Sequence, residues 1–136
     1  MLYIVVAMHC EAKPLIQQFA LKRDDSARFF EIYKNEDKVL VISGVGKMRS
    51  AIATTHILSR LELDENSVIV NIGTCGSISK SLSVGSPVLI NKIKDAETGK
   101  EYYPDILLRH ISMEQGSLDT HNKVFIRDNM ANIYGQ

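Results

Sequence analysis

A carboxylate, two thiols, an imidazole and a hydroxyl stand where apolar runs break into small or polar residues. Leu2 to Met8 is apolar throughout and ends in His9-Cys10-Glu11, while Val68-Ile69-Val70 gives way to Asn71-Ile72-Gly73-Thr74-Cys75-Gly76-Ser77. A carboxylate at a strand-to-helix junction is favoured by the positive end of the helix dipole, and that junction faces the ligand edge of an open α/β sheet. Glu11 therefore reads either as a pocket group or as the acid that opens a helix; taken alone it fits the second role better. Gly73 and Gly76 let the backbone turn sharply and approach a ligand with no Cβ in the way, so the stretch up to Ser77 reads as the rim of a pocket. Cys10 and Cys75 flank the same region. A cysteine nucleophile needs a partner base and an electropositive setting, and the default for such a residue is a small, buried, inert side chain. His9 either reaches the same turn or lies at the surface. A further glycine turn, Ser43-Gly44-Val45-Gly46-Lys47, lacks the G-x-x-x-x-G-K-[ST] pattern, and Arg49 stands where G-x-G-x-x-G needs its third glycine. Neither a P-loop nor a dinucleotide site is read there; Lys47 is expected to be a solvated first-turn residue and Arg49 an exposed helix arginine.

The elements that must hold these groups follow from hydrophobic period. The Leu2–Met8 run suits a central parallel strand. Ala12, Leu15, Ile16, Phe19 and Ala20 then trace one helical face, with Pro14 in the first turn where it is tolerated. Phe29 to Lys34 and Lys38 to Ser43 flank the polar turn Asn35-Glu36-Asp37 and predict an antiparallel hairpin, which makes the sheet mixed. Met48, Ala51, Ile52, Thr55, Leu58 and Leu61 predict a second amphipathic helix ending near Glu62, with His56 on its polar side. Val68 to Asn71 predicts a buried parallel strand, Ile78 to Ser83 a loop, and Val84 to Ile90 extended structure with Pro87 near its start. The order to that point is β-α-β-β-α-β-β. Beyond Lys94 the pattern fades: Tyr102-Tyr103-Pro104-Asp105 reads as a rim or contact loop, Ile106-Leu107-Leu108 and Val124-Phe125-Ile126 are short apolar groups, and a weak helix is expected near the end. His110 and His121 fall in unpatterned sequence.

Ala7-Met8-x-x-Glu11, Ser43-Gly44-Val45-Gly46-Lys47, Asn71-Ile72-Gly73-Thr74-Cys75-Gly76 and Val84-Gly85, in this order and spacing, resemble the N-terminal half of the nucleoside phosphorylase and nucleosidase superfamily. The pattern is closest to the 5′-methylthioadenosine/S-adenosylhomocysteine nucleosidases. The resemblance implies a three-layer α/β/α fold with a mixed central sheet, a single domain over residues 1–136 that is truncated relative to the family, and a place in purine and methionine salvage. It implies that Glu11 positions and activates the attacking water and that Met8 lines the ribose pocket. The family's Gly-Ser-Ala-Gly segment corresponds to Gly73-Thr74-Cys75-Gly76; Thr74 then keeps a hydroxyl that holds water and sugar, beside Gly73, Cys75 and Gly76 on the substrate side. Hydrolysis of an N-ribosidic bond passes through an oxocarbenium-like state, which a nearby carboxylate stabilises while it takes a proton from water.

Phosphorylase members present a Gly-Asp-Pro-type turn after the first strand and an arginine before the central glycine loop, both serving phosphate. Here those places hold His9-Cys10-Glu11 and Asn71, and a carboxylate would repel a phosphate dianion at close range. Ser86 stands where family members commonly carry Asp. The family's Met-Glu pair for the ribose diol and its Asp that protonates the leaving purine belong to the C-terminal half; Met113-Glu114 comes too early to serve as that pair. Lack of that acid is expected to slow departure of the base ~10²–10⁴-fold, so a chain of these residues alone is either slowed or inactive. A phosphate-dependent phosphorylase and a non-catalytic nucleoside-binding or oligomerising remnant are the alternatives.

Composition excludes other classes. With 136 residues, 45% hydrophobic and 24% charged, the chain is an ordinary globular one without repeats or low-complexity tracts. Sixteen basic and sixteen acidic residues cancel, so no charge footprint points to nucleic acid or a membrane surface, and a small nucleoside is the expected partner. The N-terminal apolar run is too short to span a bilayer and has no basic n-region or cleavage site, so a cytoplasmic location is expected. The cysteine spacing suggests neither disulfide nor zinc, and no cofactor is expected. An open strand edge and the family's dimer contact near Tyr102-Tyr103 predict a homodimer or higher homo-oligomer.

Overall fold

The computed structural model describes residues 1–60, 65–77, 79–106, 112–121 and 133–135. The chain divides into two compact units, Met1–Gly73 and Thr74–Gln136.

The first unit holds β1 (Leu2–Val6), α1 (His9–Gln18), β2 (Lys22–Arg23), β3 (Glu31–Lys34), β4 (Lys38–Ile42), α2 (Lys47–Ser59) and β5 (Val68–Asn71). Its sheet runs β2-β3-β4-β1-β5. β1 lies parallel to both β4 and β5, whereas β3 is antiparallel to β2 and β4, so the sheet is mixed. The uninterrupted apolar character of β1 has a direct cause, since successive side chains point to opposite faces and both faces are covered. Tyr3 and Val5 join Ile32, Val39, Val41 and the α2 residues Ala53 and Ile57 in one cluster. Ile4 and Val6 join Leu40, Leu21 and Ala12, with Leu15, Ile16 and Phe19 of α1 packed against them, in the other. The result is the three-layer α/β/α arrangement with a mixed central sheet. Burying each of the Val, Leu and Ile side chains contributes about 1.5–3 kcal/mol.

Two turns fix the geometry. Asn35 Oδ1 accepts from the backbone N–H of Asp37 and Lys38 at 3.1 and 2.9 Å, and Asn35 Nδ2 donates to Phe19 O at 3.0 Å, tying the hairpin to the end of α1. Helix α1 closes through Ala20, whose φ of 49° is left-handed, followed by a bond from Leu21 N to Ile16 O at 3.0 Å.

The second unit holds β6 (Cys75–Ser77), β7 (Val88–Asp95), β8 (Glu101–Tyr102), β9 (Glu114–Thr120) and β10 (Ile133–Gly135), in the order β6-β10-β9-β7-β8. β7 runs parallel to β9, with a register shift between Ile90 and Lys92. Asp95 shapes the β7–β8 turn, its Oδ1 accepting from Glu97 and Thr98 N–H at 2.9 and 3.2 Å.

Several expectations change. β5 is parallel as read, but it is the edge strand of its sheet among the described residues and is not buried: Ile69 is 47% exposed and Ile72, just past it, 39%. The strand expected from Val84 starts at Val88, because Gly85 has a positive φ and Ser86 N bonds back to Ser83 O. β2 and β6 interrupt the expected order, and β9 forms where no strand pattern was visible. His56, half-exposed, lies with its ring 5.9 and 5.6 Å from those of Phe29 and Phe30 and its Nε2 3.3 Å from Arg60 Nη1. Cys10 and Cys75, expected buried, are both exposed. Leu61, Glu62, Leu107, Leu108, His110, Val124, Phe125 and Ile126 lie outside the described residues.

Candidate functional site

The carboxyl ends of β1, β4 and β5 lie side by side at one edge of the first sheet, because all three strands are parallel. Ser43 N donates to Val6 O at 2.8 Å and Ile72 N to Val5 O at 3.0 Å, so β1 is clamped on both sides where it ends. The chain then turns through Ala7 and Met8 into α1. Met8 is the N-cap residue, with extended backbone (φ −126°, ψ 152°) and no side chain suited to capping, and Glu11 at the third helical position reaches back to supply what is missing. Glu11 Oε2 accepts from Ala7 N–H at 3.2 Å and from Met8 N–H at 3.0 Å. One carboxylate oxygen is thus pinned by two backbone donors. The other, Oε1, lies 3.4 Å from where a Cβ on residue 73 would stand. Gly73 follows β5, so the first turn of α1 and the end of β5 meet at the half-buried Glu11 carboxylate.

Of the residues singled out from sequence, Met8, Glu11 and Gly73 come together in the first unit. Thr74, Cys75 and Gly76 open the second unit and are exposed. There Cys75 and Gly76 belong to β6, paired antiparallel with Gly135 and Tyr134. Desolvation holds the Cys75 thiol above its ordinary value, the wrong direction for a thiolate nucleophile.

Two features of this edge were not visible in the sequence. Glu31 opens β3 directly across from Ile42, the last residue of β4, and its Oε2 meets both His9 Nε2 and the Tyr33 hydroxyl at 3.2 Å. The turn length at Asn35 fixes the hairpin register and was the signal that could have located Glu31. Arg49, exposed as expected, folds back over the loop: its Cδ and Nη1 are each 3.0 Å from the Cβ position of Gly44, whose φ is +80°. A side chain at residue 44 would therefore meet both backbone strain and Arg49. Among the described residues no group of three or more His, Cys, Asp or Glu side chains is disposed to hold a metal ion.

The arrangement has counterparts in known proteins. The model of the phosphorylase superfamily matches residues 2–122. The chain is 36% identical over 76 residues to a 5′-methylthioadenosine/S-adenosylhomocysteine nucleosidase of Staphylococcus aureus (strain JH9), covering 52% of this chain and 32% of that one. Its fold superposes on the 5′-methylthioadenosine nucleosidase of Arabidopsis thaliana in apo form with a TM-score of 0.82, at 21% identity, over 98% of this chain and 70% of that one. For the Neisseria meningitidis 5′-methylthioadenosine/S-adenosylhomocysteine nucleosidase in complex with methylthio-immucillin-A the TM-score is 0.72, at 22% identity, over 90% and 64%. The matched segment thus spans about a third of the length of the curated relative.

Proposed function

The chain belongs to the phosphorylase superfamily, and on that premise we propose that it is a nucleosidase-like N-glycoside hydrolase that releases adenine from 5′-thio-substituted adenosine nucleosides. The observation that carries the reading is the Glu11 carboxylate, with Oε2 held by two backbone N–H groups and Oε1 turned to Gly73 at the sheet's ligand edge. A pinned carboxylate suits a base that must meet a water in one orientation. Glu11 takes a proton from that water, the water oxygen bonds to C1′, and the C1′–N9 bond breaks with its electron pair leaving on the base, which takes up a proton from solvent water. On the same reading Met8 and Gly73, which stand with Glu11 in the first unit, line the ribose side. The negative charge of the carboxylate also answers the positive oxocarbenium charge that develops at C1′.

The same proposal takes residues 1–136 as one domain, supported by a family match that runs across the boundary between the two units. It includes a homodimer or higher homo-oligomer, supported by the exposed edge at β5, and a cytoplasmic location. Among the described residues no helix is long and apolar enough to cross a membrane.

Incubation with methylthioadenosine tests the activity. Adenine release, slowed ~10²–10⁴-fold without the purine-protonating acid that the resemblance places in the family's C-terminal half, is expected without added phosphate, and Glu11→Gln is expected to lower it further. No adenine above the buffer control sinks the proposal. Release that requires inorganic phosphate replaces it with phosphorolysis, and calorimetric binding of the nucleoside without turnover replaces it with a non-catalytic role.

A further inference from the structure

We propose that His9, Glu31 and Tyr33 form a brace that positions Glu11, tying the first turn of α1 to the carboxyl edge of the sheet; this rests on the reading of Glu11 as the water-activating carboxylate. One oxygen, Glu31 Oε2, receives both ends of the brace. His9 Nε2 is 3.2 Å away and the Tyr33 hydroxyl donates to it at 3.2 Å. The two rings meet edge to face, with centroids 6.3 Å apart and planes at 61°. Tyr33 is fixed in the sheet through its pairing with Leu40, and Glu31 through its pairing with Ile42. His9 is the first residue of α1. It directly follows Ala7 and Met8, whose N–H groups hold Glu11 Oε2. Any shift of His9 toward or away from the sheet moves the two donors that aim the carboxylate.

Burial and the bond to Glu31 hold the Tyr33 hydroxyl above its ordinary value, so it stays a donor throughout. His9, Glu31 and Tyr33 are positioning residues; Glu11 is the group that touches water.

Amide hydrogen exchange on the full chain tests the brace. Protection of Ala7 and Met8 N–H is expected to fall about tenfold in Glu31→Gln and in Tyr33→Phe, while Ile4 and Leu40 in the core keep theirs. Tyr33→Phe removes a single hydroxyl and decides the matter if Glu31→Gln fails to fold. Unchanged protection of Ala7 and Met8 in a folded Tyr33→Phe protein overturns the brace, as does a fall shared equally by Ile4 and Leu40. Adenine release is measured on the same samples, with a loss in kcat at constant KM expected for both variants. If the wild type releases no adenine, the hydrolase reading fails while the exchange data still decide the brace.

Discussion

Gly73 matters through proximity, not backbone freedom. Its φ is not in the left-handed region, yet a Cβ there would stand 3.4 Å from Glu11 Oε1, at the near limit of van der Waals contact. The fold can accept that methyl group, but the space beside Oε1, where the proposed reaction puts its water, cannot stay the same. Gly73→Ala is therefore expected to leave the thermal midpoint nearly unchanged and to lower adenine release by about 10–100-fold, the cost of displacing a reacting group by a fraction of an ångström. A variant as active as the wild type would remove Gly73 from the site. Glu11 and Gly73 were legible in the sequence, because each follows an apolar run that ends abruptly. The contacts that hold Glu11 were not, since they are made by the backbone of Ala7 and Met8, whose side chains carry no sign of it.

At the scale of elements, β1, the two helices, the hairpin and β5 could be read because hydrophobic period survives wherever a face is buried. β9 could not. Its run Glu114-Gln115-Gly116-Ser117-Leu118-Asp119-Thr120 has little strand propensity, and it is extended because β7 pairs along its whole length. β5 shows the opposite failure, since four strand-favouring residues look alike in a buried strand and at an edge. Two local devices yield stability predictions. Ala20 closes α1 at φ 49°, where a Cβ is strained, so Ala20→Gly is expected to raise stability by about 0.5–1 kcal/mol, net of glycine's entropy in the unfolded chain. A lower urea midpoint would contradict the strain. Asp24, just after β2, is pulled down to about 2 first by its bond from Lys34 and then by that from Ser26, with distances of 2.7 and 2.6 Å. A depressed carboxylate stabilises above its unfolded value, 3.8, and that stability is lost as pH falls toward about 2. Because Lys34 is 53% exposed, screening reduces the contribution to about 1 kcal/mol. Asp24→Asn should therefore cost about that much at neutral pH and flatten the acid limb between those two values, which urea midpoints across pH will show.

At the scale of the whole molecule, the decisive feature is where burial stops. The fully buried apolar side chains among the described residues run from Tyr3 to Ile57. β5, although it continues the same sheet, alternates between half-buried and exposed positions. A parallel edge strand carrying Ile69 and Ile72 half in water is what soluble proteins avoid unless something covers it. A second copy of the chain is the cover proposed above. Light scattering should then give a particle heavier than the 15.2 kDa chain, and Ile69→Lys, which places a charge on the exposed face without touching Glu11 or Gly73, should shift it to monomer while the helical signal is retained. A wild-type chain that is monomeric at high micromolar concentration would show that the edge is tolerated in water, and would remove the support it gives to self-association while leaving the Glu11 site as it stands.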